Sequence, residues 1–208
     1  MKNLTVRTRA TILIVILSLS LVWTTYNWRK EKERNDAVFD MVTREWYGTN
    51  LEGIYGLLWT LDNYIGLYLE AENEPYHRAA LSGMVGGAAV ALSRSINGMN
   101  RYCEPYYRHV THFDDDSSTL SRAIELISKN YPLNADEQFM TDFYTGIKPY
   151  IEQLLEYAEE YSYENAETPY EAAELFDIFL RKSKLTYYNL HDLIVEWPYP
   201  DEITATIA

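Results

Sequence analysis

YGTNLEGIYGLLWTLDNYIGLY, Tyr47 to Tyr68, is the stretch from which the fold can be read. Its apolar residues Tyr47, Leu51, Ile54, Leu58, Leu61, Ile65 and Tyr68 recur at spacings of 4, 3, 4, 3, 4 and 3. That rhythm places all seven on one stripe of a helix, a heptad seam that other helices must cover. No proline falls between Asn35 and Ala71, so the whole segment is predicted to be helical. Gly48, Gly53, Gly56 and Gly66 lie inside it and point to close helix contacts or a bend. Each costs about 1 kcal/mol against alanine in a helix interior.

Upstream runs ATILIVILSLSLVWTTYNW, Ala10 to Trp28, 19 residues without a charge. A helix needs about 20 residues to cross the hydrocarbon of a bilayer, and this run meets that length. Ser18, Ser20, Thr24 and Thr25 are tolerable there because a helical hydroxyl can bond back to its own backbone. Trp23, Tyr26 and Trp28 suit an interface. Ser18-Leu19-Ser20 is the one small-residue cleavage candidate and falls inside the apolar run, so an uncleaved signal-anchor is expected. Lys2, Arg7 and Arg9 precede the span, and Arg29, Lys30, Lys32 and Arg34 follow it. With the α-amino group added to the first cluster, the N-terminus is expected in the cytoplasm and the bulk of the chain outside it.

Downstream, Asn73-Glu74-Pro75 ends the seam helix and starts a second, expected to reach Tyr102. Gly83, Gly87 and Ala91 are four apart in it, a small-residue stripe that would admit another backbone. Arg78 and Arg94 leave only 15 uncharged residues between them, too few for a comfortable second crossing. Tyr102 to Ser118, with Pro105 and Asp114-Asp115-Asp116, has no steady period and reads as a long connection. A short amphipathic helix follows with Leu120, Ala123, Ile124 and Ile127 on one side. The capping pattern Asn134 to Glu137 starts a helix carrying Met140, Phe143, Ile147, Ile151, Leu154, Ala158 and Tyr161, with Pro149 predicted to kink it. Thr168-Pro169-Tyr170-Glu171 opens the last helix, whose inward residues are Ala172, Phe176, Phe179, Leu190, Leu193 and Trp197. The expected fold class is all-α: a transmembrane helix, then an antiparallel bundle of four long helices plus one short helix. The corresponding division is a basic segment 1–9, a span 10–28, a basic juxtamembrane segment 29–34, an acidic bundle 35–197 and a tail 198–208.

The whole chain holds 18 Lys and Arg against 31 Asp and Glu. Seven of the basic and two of the acidic residues lie in the first 34, leaving 11 against 29 in residues 35–208, a formal charge of −18. Phosphate backbones and anionic head groups repel such a domain, so nucleic acid is excluded as a partner and a basic protein is favoured. From Glu152 to Asp177 there are nine acidic residues and no Lys or Arg. Within that run Glu152, Glu156, Glu159, Glu160, Glu164 and Tyr161 form the candidate partner-binding surface.

Catalytic motifs are missing: no Gly-x-Ser-x-Gly elbow, no phosphate-binding glycine loop and no pair of Glu-x-x-His motifs for a di-metal site. A non-enzymatic chain without a cofactor is therefore expected. Cys103, His109, His112 and Asp114 offer metal-ligand chemistry within twelve residues, a set that spacing alone supports weakly. The single cysteine excludes an internal disulfide. The layout of anchor and bundle is similar in outline to the extracytoplasmic sensing domains of bacterial receptors, but shows neither a second span nor a signalling module. The expected function is a membrane-anchored interaction or accessory subunit at the cell envelope. The alternative is a sensor-like small-molecule binder with Trp46, Trp59 and Tyr64 around a pocket.

Overall fold

The structure, a computed structural model, describes residues 6–71, 75–104, 113–129, 137–162 and 166–197. Among them every regular element is helical: α1 (Val6–Glu70), α2 (Pro75–Cys103), α3 (Phe113–Lys129), α4 (Glu137–Ser162) and α5 (Pro169–Val195). The chain divides into two compact units, Met1–Thr43 and Arg44–Ala208, with the boundary inside α1.

In the first unit, the side chains described from Thr11 to Val38 are all exposed. Thr24 and Thr25 donate from Oγ1 to the carbonyls of Ser20 and Leu21, both at 2.8 Å, which satisfies their hydroxyls inside the apolar run. Thr11–Val38 is long and apolar enough to cross a membrane, and so is Tyr76–Cys103 in α2. They differ in burial. None of the first segment's apolar window is buried, whereas 44% of the second's is, as befits a helix with a core-facing stripe.

The second unit is a helical bundle. Leu51, Ile54, Leu58, Leu61, Ile65 and Tyr68 of the seam are all buried; the Tyr47 side chain lies outside the described residues. Fully burying a Leu or Ile side chain contributes about 1.5–3 kcal/mol, so this one stripe accounts for much of what holds α1 to its neighbours. Asp62 accepts from Lys148 Nζ of α4 at 2.9 Å, and Tyr68 meets Tyr144 of α4 edge to face at 4.7 Å. Arg78 of α2 stacks over the Tyr68 ring and pairs with Glu137 at the start of α4. Ser82 of α2 shares a buried hydrogen bond with Tyr144 Oη at 2.7 Å, and Ser93 shares another with Ser121 of α3 at 2.8 Å. Lys184 ties α5 to Asp116 of α3, and Thr186 donates to Gln153 Oε1 of α4.

Three local expectations change. Helix α3 begins at Phe113, so Asp114, Asp115 and Asp116 belong to its first turn rather than to a loop. Acidic side chains are favoured there because the unsatisfied N–H groups carry partial positive charge. Gly83, Gly87 and Ala91 are exposed, because the larger Leu81, Val85, Ala89, Leu92 and Ile96 of the same helix take the core. Pro149 lies inside α4, exposed where water can reach the Thr145 carbonyl it leaves unpaired. The last helix stops at Val195, leaving Leu193 and Trp197 only partly buried.

Elsewhere the local chemistry is as read. Thr168 Oγ1 accepts from Glu171 N at 3.2 Å, while Glu171 Oε2 accepts from Thr168 N at 3.0 Å, a complete capping box with Pro169 in the first turn. Such a cap is worth about 1 kcal/mol. Gly53 and Gly66 meet their neighbours at ordinary distances, since a Cβ there would lie 3.9 and 3.7 Å from side-chain atoms. Gly146 is the position that needs to be glycine: a Cβ would lie 2.8 Å from the Trp197 ring. The Asn134 cap and the tail 198–208 lie outside the described residues.

Candidate functional site

Helix α4 presents its acidic residues because its apolar stripe is spoken for. Ile147, Ile151, Leu154 and Ala158 are buried, which turns Glu152, Glu156, Glu159 and Glu160 to solvent. Glu152 pairs with Lys148 at 3.1 Å, an ammonium it shares with Asp62. Burial alone would lower the Lys148 pKa, but hydrogen bonds to Asp62 and Glu152 raise it overall, so the ammonium stays charged. Tyr161 donates to Glu160 Oε1 at 2.8 Å, and that bond leads the rise in its own pKa. Glu156 and Glu159 carry no ion pair among the described contacts. Glu164 lies outside the described residues.

Next to this row, the middle of α5 carries a group that sequence reasoning passed over. Arg181, Lys182, Lys184, Leu185 and Tyr188 border a shallow, open depression of about 470 Å³. Leu185 is 73% exposed. The signal in the sequence was Arg181-Lys182-Ser183-Lys184, the densest basic cluster of an acidic domain. Behind it lie two buried carboxylates. Asp116 is 5% exposed and holds Lys184 Nζ at 2.9 Å through one oxygen and at 3.0 Å through the other. This bond is the main reason the Lys184 pKa rises. Burial, then the charge of Asp116 and a hydrogen bond to it, push the ionisation of the buried Tyr187 hydroxyl up.

Asp177 is 7% exposed and pairs with Arg181 at 2.8 Å. Burial raises its pKa above the ordinary 3.8, more than Arg181 lowers it, with Asp116 and Glu174 adding to the rise. The folded protein therefore holds this proton more tightly than the unfolded chain does. Its stabilising contribution is complete below the unfolded value and is lost as pH rises through the raised folded value. Asp177→Asn is thus expected to raise the melting temperature at pH 7 and to match the parent near pH 3. Thermal melts at the two pH values check this, and a lower melting point at pH 7 would mean that the Arg181 pair outweighs burial.

Of the metal-ligand residues, Cys103 is a core side chain at the end of α2, and burial pushes its thiol up to about 12. A thiol held protonated at neutral pH is a poor ligand and a poor nucleophile. His109 and His112 lie outside the described residues, as does the side chain of Asp114, which is placed in the first turn of α3. No group of three or more His, Cys, Asp or Glu suited to a metal occurs among the described residues. Of the three aromatics read as a pocket lining, the two that are described do not line an interior pocket. Trp59 is 54% exposed, Tyr64 packs on the outside of the core, and the Trp46 side chain is not described. Between Leu51, Ile54, Ala158 and Phe176 there is a void of about 10 Å³, room for a single water at most.

Among the described residues these features define a class: an all-helical bundle with a charged outer surface, preceded by an apolar helical segment whose side chains are exposed. No protein-family model, no curated protein and no solved structure matches the chain.

Proposed function

We propose that this chain is a single-pass membrane protein whose bundle docks a basic protein surface, serving as a non-enzymatic accessory subunit at the cell envelope. The N-terminus lies in the cytoplasm and the bundle outside it. The four long helices α1, α2, α4 and α5 alternate in direction, with α3 as the short fifth. The observation that carries the reading is the acidic row of α4, in which Glu156 and Glu159 stand exposed beside Glu160 with no ion pair among the described residues. Charges left unpaired at a surface accelerate encounter with an oppositely charged partner and set its orientation. The uncovered apolar segment gives such a docking surface a fixed place at a membrane.

The test is crosslinking in intact cells, mild detergent extraction and recovery of the full chain. Recovery of a crosslinked protein that is lost at least tenfold in Glu156→Lys/Glu159→Lys is the expected result. Both residues are exposed, so circular dichroism of the variant should be unchanged. Recovery of no protein, or of the same protein equally from both chains, would sink the reading.

A further inference from the structure

The outer surfaces of α4 and α5 carry opposite charges on neighbouring helices. On α4 stand Glu156 and Glu159; on α5 stand Arg181 and Lys182, around the exposed Leu185. We propose that this face is the contact between two copies of the chain, each copy's α4 carboxylates lying over its partner's α5 cations. The inference rests on the docking reading given above and names a second copy as the partner.

The register of the two helices supplies the argument. Gln153 and Thr186 are hydrogen-bonded at 2.8 Å and so stand at one level. Gly146 meets Trp197, a second matched pair displaced toward the start of α4 and the end of α5, so the two helices run in opposite senses. One turn onward from Gln153 is Glu156, and one turn back from Thr186 is Lys182. The acidic and the cationic groups therefore share a level. A two-fold axis parallel to these helices and running between them exchanges α4 with α5 of the other copy without changing level. Each acidic row then faces a cationic row, twice over, as a self-complementary contact requires.

Overall repulsion does not forbid this. Charges more than ~8 Å apart are largely screened at physiological salt, whereas facing side chains lie within that distance. Leu185, 73% exposed in the middle of the cationic group, supplies the apolar centre that a charged rim surrounds in a specific contact. Arg181 and Lys184 are already engaged by Asp177 and Asp116, which holds their stems in place beneath the surface.

The experiment uses the full chain in mild detergent, carried on two different tags, with co-purification and light scattering as readouts. The acidic row is reversed by Glu156→Lys/Glu159→Lys, and the cationic group by Lys182→Glu/Leu185→Glu; Arg181 and Lys184 are left alone because their partners are buried. Wild-type chains should recover each other at 0.15 M salt. Each variant should recover itself at least tenfold less well, and the two variants, mixed, should recover one another, because both halves of the contact are then complementary. Recovery of no second copy by the wild type would overturn the inference, and so would self-recovery of both variants at the wild-type level. If the wild type is monomeric but Glu156→Lys/Glu159→Lys still loses a different crosslinked protein, the docking reading stands and the second copy is not the partner. Circular dichroism confirms that both variants are folded.

Discussion

Phe143→Ala is expected to destabilise the bundle by about 3–5 kcal/mol, the range for deleting a fully buried aromatic ring. Phe143 is 0% exposed and meets Trp197 edge to face at 5.4 Å and Tyr144 at 5.8 Å. Gly146, one turn further along α4, leaves the space into which the Trp197 ring fits. Removing the Phe143 ring therefore empties the centre of a joint between α4 and the end of α5, and the backbone contact at Gly146 limits how far Trp197 can follow. A domain of ordinary stability has ~5–15 kcal/mol in total, so this single change takes a large share of it. Urea unfolding should show a lower midpoint at an unchanged slope. Met84→Ala, at an exposed position of α2, serves as control and should stay within about 0.5 kcal/mol of the parent. A loss under ~1 kcal/mol for Phe143→Ala would mean that the joint collapses without cost, and that this corner is not packed as described.

A chain beginning at Arg44 is expected to stay in solution and fold, while the full chain partitions into membranes and resists alkaline carbonate extraction. The reason is the division of apolar surface between the two units. Among the described residues every buried core side chain lies at Leu51 or beyond, whereas Ile12 to Leu17, Leu19, Leu21, Val22 and Trp23 are all exposed in the first unit. Each large apolar side chain moved out of water contributes about 1.5–3 kcal/mol, and no other described residue of the first unit covers these. Removing residues 1–43 takes away that surface and none of the core described in the second unit. Fractionation of cells expressing either form decides the matter: a full chain released by carbonate, or a shortened chain found only in aggregates, would break the expectation.

What the sequence determined by itself was everything that depends on neighbours a few residues away. The 3-4 spacing from Leu51 to Tyr68 marked a buried stripe because residues at that spacing share one side of a helix. The cap at Thr168 was legible because both of its partners lie within three residues. The acidic row of α4 was legible too, since exposure follows once Ile147, Ile151, Leu154 and Ala158 have claimed the core. Where two stripes of one helix had the right spacing, as in α2, the sequence could not rank them. Burial was decided by which stripe carried the larger apolar side chains: Val85, Leu92 and Ile96 went in, and Gly83, Gly87 and Ala91 stayed out. The order of the helices around the core belonged to the tertiary structure alone. It rests on pairs such as Asp62 with Lys148 and Asp116 with Lys184, 86 and 68 residues apart, whose meeting no local pattern encodes. For the same reason the cationic group around Leu185 became visible as a surface only once Asp116 and Asp177 were found buried beneath it.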